Sequence, residues 1–158
     1  MKEGLAVGTS HTRTLSVDRG RTIEFMGEEL RVYSTPNMVL DVEQTCRELL
    51  LQWHEPGEDS VGAHVTIDHL GPSLFGQTVT VTARVAELAL PRVVFEVDVR
   101  DELDAVGRAR HVRFVIDRDK QGERLRRKAA RLAALESEAA ATQSQNSVPG
   151  STQPGAVA

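Results

Sequence analysis

Residues 35–57 place the strongest constraint on how this chain can fold, because they encode one amphipathic helix with a marked start and a marked stop. Thr35 as N-cap and Pro36 at the first helical position predict the start, and Pro56-Gly57 predicts the stop. At about 100° per residue, one arc collects Met38, Val39, Val42, Cys46, Leu49, Leu50 and Trp53. The opposite arc collects Asp41, Gln44, Glu48 and Gln52. One face is therefore predicted to enter a core and the other to meet solvent.

After this helix the apolar period changes from 3.6 residues to two. Alternating apolar residues over 61–69, 78–85, 91–100 and 109–117 predict four antiparallel strands in a meander, with a turn at 101–104. The predicted inward set is Val61, Ala63, Val65, Ile67, Val79, Val81, Ala83, Val85, Val93, Phe95, Val97, Val99, Val112, Phe114 and Ile116. Two short β-compatible stretches, 11–17 and 22–26, precede the helix.

This order predicts an α+β domain over residues 1–118, with an antiparallel sheet curled around one long helix. Only that helix offers enough apolar surface to cover the inner face of the sheet. Residues 119–141 predict a charged C-terminal helix, basic first and acidic later. That charge order opposes the helix dipole, so we expect partial order. Residues 142–158 have few large apolar side chains and are predicted to be disordered.

Composition excludes several function classes. A net charge of -4 and a pI near 5.7 argue against binding to nucleic acid or an anionic membrane. The longest aliphatic run, Leu49 to Leu51, is too short to span a bilayer, and no export signal is recognisable. The single Cys46 fits a reducing compartment, so we expect a cytoplasmic protein. Five scattered histidines without a cysteine cluster do not indicate a metal site.

Three side chains are candidates for chemistry. Glu43 lies at the border of the helix's apolar arc, the acid nearest the predicted core, where it would be partly withdrawn from water and suited to act as a base or nucleophile. The alternative is a boundary glutamate that reaches solvent. His69 shares the parity of the apolar residues of its strand, whereas His64 should face solvent.

Each remaining candidate also has a structural alternative. His69 could serve as an acid or base, or be a core histidine satisfied by a backbone carbonyl. Thr35 as an N-cap would be occupied by helix N–H groups, yet a helix N-terminus can also stabilise a developing oxyanion. Cys46, in the middle of the apolar arc, is interpreted as a core side chain.

The stretch from Val7 to Ile116 resembles the fluoroacetyl-CoA thioesterase type of hotdog protein. The match is densest in RVYSTPNMV, around Glu43, in HEPGEDSVGAHVTIDHLGPSLFGQTVTVTARV and in the last strand. The resemblance implies that Thr35, Glu43 and His69 carry thioester hydrolysis. It further implies that the Gly62 N–H positions the thioester carbonyl, and that Tyr33 and Pro36 contact the substrate.

A hotdog thioesterase of this type would hydrolyse a short or medium acyl-CoA to free CoA and a carboxylate, without a metal or other cofactor. It would form at least a homodimer by joining sheets edge to edge, with pockets at the subunit interface. Two alternatives stay open. One is a non-catalytic acyl-CoA-binding or ligand-sensing hotdog protein, and the other is an interaction protein whose basic C-terminal helix docks a partner.

Overall fold

The computed structural model describes residues 1–145 in two compact units, Met1–Arg118 and the residues from Asp119 onward. The first unit contains β1 (Ser10–Ser16), β2 (Thr22–Ile23), β3 (Val32–Tyr33), α1 (Thr35–Leu51), β4 (Glu58–His69), β5 (Thr78–Ala89), β6 (Arg92–Arg100) and β7 (Ala105–Asp117). Single turns of 3-10 helix cover Arg19–Arg21 and Glu28–Leu30. Helix α2 begins at Arg118 and continues to Gln145.

Five strands form a curved antiparallel sheet in the order β1-β5-β6-β7-β4, and α1 packs against it. The predicted α+β hotdog architecture is therefore confirmed. The predicted four-stranded meander is wrong, because β5 already pairs with β1 and β6, which leaves β4 to pair with β7 at the sheet edge. The predicted strand over 22–26 is shortened to two residues, since Gly27 turns the chain with a φ of 91°.

The core lies between α1 and the sheet and is built mainly from valine. The buried apolar residues of α1 are those predicted from its period, with Met38, Val42, Cys46, Leu49 and Leu50 at its centre. They meet the inward residues of β5 and β6, namely Val79, Val81, Ala83, Val85, Val93, Phe95, Val97 and Val99. These two strands therefore follow the predicted alternation.

The predicted parity fails in the first part of β4 and in β7. A bulge shifts the register between Gly62 and His64, so Val61, predicted to point inward, is exposed. In β7 the inner face carries buried His111 and Arg113; of the residues predicted to point inward, Val112 is buried but Phe114 is 36% exposed. The prediction assumed that the face with the larger apolar residues points to the core. In the structure, the inward positions of β7 instead carry polar side chains that form hydrogen bonds in the interior.

The second unit is described by α2 alone. This helix continues through residues 142–145, the first part of the segment predicted to be disordered, and residues 146–158 lie outside the described residues. Within residues 1–145, neither helix combines the length and the apolar character that a bilayer-spanning segment requires.

Candidate active site

Thr35 and His69 meet at the N-terminus of α1. The N-cap of this helix is Ser34, whose Oγ accepts hydrogen bonds from the backbone N–H of Asn37 at 3.4 Å and from its Nδ2 at 2.7 Å. The prediction that Thr35 caps the helix is therefore wrong by one residue. Because Ser34 serves the free N–H groups, the Thr35 hydroxyl is available and lies 2.8 Å from His69 Nδ1.

His69 ends β4 and is half-buried beside Tyr33. The two rings pack edge to face, with centroids 6.3 Å apart. Burial lowers the pKa of His69 below its usual value, and a hydrogen bond to the backbone of Gly71 opposes this only in part. The imidazole is therefore neutral at pH 7, and a neutral ring can accept the proton of the Thr35 hydroxyl.

A cavity of about 390 Å³ opens beside this pair. Thr35 and His69 contribute its polar groups, while Ile23, Phe25 and Leu70 contribute apolar walls. The ring of Tyr33 also borders the cavity, but its hydroxyl donates a 2.7 Å hydrogen bond to Asp41 in the interior. Pro36, exposed on the first turn of α1, has no part in the lining of this cavity.

Glu43 belongs to a second cluster, two helical turns further along α1. The buried guanidinium of Arg113 donates from Nη1 to Glu43 Oε1 at 3.3 Å and to the Glu43 carbonyl at 3.2 Å. Its Nε and Nη2 donate to the Oγ and carbonyl of Ser60 at 3.0 and 2.8 Å. Arg113 thus ties α1 to the edge strand β4 and holds one oxygen of the carboxylate.

The neighbouring His111 is held in a single protonation state. Its Nδ1 lies 2.8 Å from the carbonyl oxygen of His64, which can only accept, and its Nε2 lies 3.2 Å from Arg113 Nη1, which can only donate. The ring therefore carries one proton, on Nδ1. Burial lowers the pKa of His111, in agreement with a neutral ring.

Gly62 provides the space that the carboxylate occupies. A Cβ at this position would collide with Glu43 Oε1 and would lie 3.2 Å from His111 Cε1. The acid can therefore rest directly against the strand backbone only because residue 62 is glycine. The Glu43 side chain remains 43% exposed, so a water molecule can reach the carboxylate oxygen that Arg113 does not hold.

Glu43 is not the acid nearest the core, as the sequence predicted. Asp41, expected on the wet face, is 1% exposed. It accepts hydrogen bonds from Tyr33 Oη at 2.7 Å and from Arg21 Nε at 3.0 Å, and Arg13 Nη1 lies 3.5 Å away. These partners offset the cost of burying its charge and leave it no open side, so Asp41 is a structural acid.

The predicted site residues fall into these two clusters within one protomer. Thr35 and Glu43 are separated by about 12 Å along the helix axis, and Gly62 and His69, with the bulge between them, by about 20 Å along β4. The His69 side chain contacts Thr35, Tyr33 and the backbone of Gly71, whereas the Glu43 side chain contacts Gly62 and Arg113.

His111, Arg113 and Ser60 were missed by sequence reasoning. One signal pointed to them: His111 and Arg113 share the parity of Ala109 and Val115, which makes β7 readable with either face inward. The opposite face of β7 was predicted to be buried because its apolar residues are larger. The burial of Arg113 could not be predicted without knowing which groups accept its hydrogen bonds.

Other reactive groups offer no competing site. Burial raises the pKa of the Cys46 thiol to about 12, which keeps it protonated and unreactive. Among the described side chains, no group of three or more His, Cys, Asp or Glu is arranged to hold a metal ion.

Comparisons with known proteins were made for the whole chain. The sequence profile of the fluoroacetyl-CoA-specific thioesterase family matches residues 17–119. The fluoroacetyl-CoA thioesterase of Streptantibioticus cattleyicolor is 30% identical, over 81% of this chain and 97% of that protein. A thioesterase superfamily member from Thermus thermophilus has a TM-score of 0.77 at 29% identity, over 84% of this chain and 98% of its own. A solved fluoroacetyl-CoA thioesterase has a TM-score of 0.73 at 29% identity, over 80% and 98% of the two chains.

Proposed function

Because the chain belongs to the family of fluoroacetyl-CoA-specific thioesterases, we propose that Thr35, Glu43 and His69 carry its thioester hydrolysis. The chain is an acyl-CoA thioesterase, a hydrolase that releases free CoA and a carboxylate. In the net reaction the thioester C–S bond breaks, the acyl carbon gains the hydroxyl of water, and the sulfur gains its proton. We expect the enzyme in the reducing cytoplasm, which suits a chain whose one cysteine is a free thiol.

Glu43 is the group that activates water or attacks the acyl carbon. Arg113 fixes one oxygen of the carboxylate, and the partial exposure of the side chain leaves the other oxygen for water. Gly62, against which the acid rests, offers its backbone N–H to the thioester carbonyl, where negative charge develops during the attack.

Thr35 and His69 act at the leaving sulfur, on the other side of the thioester carbonyl from Glu43. The neutral His69 ring, paired with the Thr35 hydroxyl, can take up and return a proton as the sulfur leaves. The first turn of α1 adds the positive end of its dipole to this position. Tyr33 and Pro36, which flank Thr35 in the sequence, would contact the substrate.

The observation that carries the proposal is the placement of both clusters along one edge strand. β4 is 12 residues long, its outer side has no partner strand within residues 1–145, and Gly62 and His69 lie near its middle and its end. If β4 pairs antiparallel with its copy about a twofold axis at Thr66, which allows for the bulge after Gly62, Gly62 of one protomer comes opposite the partner's His69. A homodimer would thus complete two sites, each from both chains.

The cavity beside Thr35 and His69 favours an apolar acyl group of short or medium length. Its walls of Ile23, Phe25 and Leu70 present hydrocarbon, and about 390 Å³ lies at the lower end of the range for ligand pockets. Solved relatives have been described with fluoroacetate and CoA, and with acetyl-CoA, which supports a CoA thioester as the ligand.

A thiol-release assay over acyl-CoAs from two to about ten carbons tests the activity and its residues. Wild type should release thiol, and Glu43→Gln and His69→Ala should each lower kcat by about 100-fold or more. Arg127→Glu, on the exposed side of α2, is the matched control and should retain full activity. Wild-type chain that binds these acyl-CoAs without releasing thiol would favour the non-catalytic acyl-CoA-binding alternative.

Mixing two inactive variants tests whether the site is shared between protomers. In a heterodimer of Glu43→Gln and His69→Ala, a shared arrangement leaves one site intact, so random mixing should restore about a quarter of wild-type activity. The double variant mixed with wild type is the control, since its heterodimers contain no intact site. No recovery in the first mixture, with heterodimers demonstrated by mass, would place the whole site in one protomer.

A further inference from the structure

Helix α2 carries an exposed apolar stripe that the thioesterase reaction does not use. Its 28 residues run from Arg118 to Gln145. Leu125, Leu132 and Leu135 are 57%, 57% and 63% exposed, and at about 100° per residue they lie within an arc of about 80°. Ala129 and Ala139 extend the same stripe. A long helix gains most of its stability by covering such a stripe.

The charges of α2 are divided between its two halves. Residues 118–131 contain seven basic and two acidic side chains, whereas residues 132–145 contain Glu136 and Glu138 and no basic side chain. A helix with this pattern repels a parallel copy along its basic half. It attracts an antiparallel copy, because the basic half of each then faces the acidic half of the other.

We propose that α2 pairs antiparallel with α2 of a second copy of this chain. With Leu132 of one helix against Leu135 of the other, the leucines meet at the crossing point on both sides of the twofold axis. This register sets Arg131 beside Glu138 of the other copy, at a flanking position. It also sets Lys128 close to Glu136 of the other copy.

Lys128 and Glu136 decide between this partner and a membrane surface. Both lie inside the arc of the stripe or next to it, Lys128 about 60° to one side of Leu125 and Glu136 about 20° to the other. On a lipid surface this face would enter the acyl boundary, where both charges are costly. In the antiparallel pair, Lys128 of each copy lies close to Glu136 of the other copy, so the opposite charges attract. A parallel pair would instead place Lys128 against Lys128.

Spin-label distances in the full-length protein test the pairing. Nitroxides are attached at Ala134→Cys in one variant and at Glu123→Cys in another, both on the outer side of α2 and exposed, while Cys46 is fully buried and stays unlabelled. Antiparallel pairing puts position 134 at the axis and separates the two 123 positions by about 30 Å along it. The distance between labels at 123 should therefore exceed that at 134 by about 15 Å.

Charge variants complete the test. Arg131→Glu should abolish the short distance at 134, and Arg131→Glu combined with Glu138→Arg should restore it. Arg126→Glu is the matched control, because it reverses the same charge at a position about 140° around α2 from Arg131, away from the leucine stripe, and should leave both distances unchanged. Equal distances at 123 and 134, no effect of Arg131→Glu, or an equal effect of Arg126→Glu would each overturn the proposal. So would binding of α2 to anionic phospholipid vesicles with no distance below about 40 Å at 134.

Discussion

Replacing Gly62 by alanine should displace the Glu43 carboxylate and lower activity, although residue 43 itself is unchanged. The added methyl group occupies the position of Glu43 Oε1 and comes within 3.2 Å of both Glu43 Cδ and His111 Cε1. His111 is held from both ring nitrogens and Arg113 is buried, so neither neighbour can yield easily. The carboxylate, which is half-exposed, is the group that must move.

The displacement required to restore an ordinary contact is about 1 Å. A shift of this size in a catalytic group costs about 100-fold in rate. The same shift weakens the 3.3 Å hydrogen bond to Arg113, which should lower the free energy of unfolding by about 1 to 3 kcal/mol. We therefore expect Gly62→Ala to lose about 100-fold in kcat while remaining folded.

A double-mutant cycle measures whether the loss passes through Glu43. Thiol release is compared for wild type, Gly62→Ala, Glu43→Ala and the double variant, with urea unfolding to verify the fold of each. Since Glu43→Ala removes the group that the methyl displaces, adding Gly62→Ala to it should change kcat by less than about threefold. A full further loss in the double variant, or full activity of Gly62→Ala alone, would refute the reasoning.

Three further predictions address the other elements of the site. Thr35→Ser should keep kcat within about threefold and Thr35→Val should lower it by about 100-fold, because only serine retains the hydroxyl next to His69; equal loss in both variants would contradict this pairing. Arg113→Met should lower the free energy of unfolding by about 3 kcal/mol in urea titrations, since it leaves Ser60 and Glu43 without their buried donor. Burial lowers the folded-state pKa of His111 and also that of His54, a buried histidine outside the site, three residues after the end of α1, so the unfolded state binds protons first. The contribution of these neutral rings to stability should be complete above about pH 6.5 and should be lost as the pH falls towards the folded pKa values. In melting curves recorded at several pH values, His54→Gln should make this loss of stability less steep, and an unchanged slope would contradict the prediction.

Much of the candidate site could be predicted from the sequence, because the face on which a residue of a helix or strand lies depends on local spacing. The apolar period of α1 places Glu43 at the edge of the buried face, and the strand parity near the end of β4 places His69 inward, whatever the rest of the fold does. Arg113 and His111 are different, because their burial depends on Ser60, the His64 carbonyl and Glu43, which only the tertiary structure brings to β7.

The same distinction explains the errors. A capping residue is decided by which hydroxyl reaches the free N–H groups, and Ser34 and Thr35 are equivalent by residue type, so only coordinates separate them. Asp41 has the angular position of a solvent-facing acid, but Arg21, Arg13 and Tyr33 arrive from other segments and cover it.

By itself the sequence determined the element types, the buried apolar residues of α1, the inward residues of β5 and β6, and the family, because each is encoded in short-range spacing and in motifs. Tertiary structure alone decided which strand lies at the sheet edge, which face of β7 turns inward, and that Arg113 clamps Glu43 while Thr35 is released to His69. These outcomes depend on pairings between residues far apart in the chain, and a single sequence carries no local signal for such pairings.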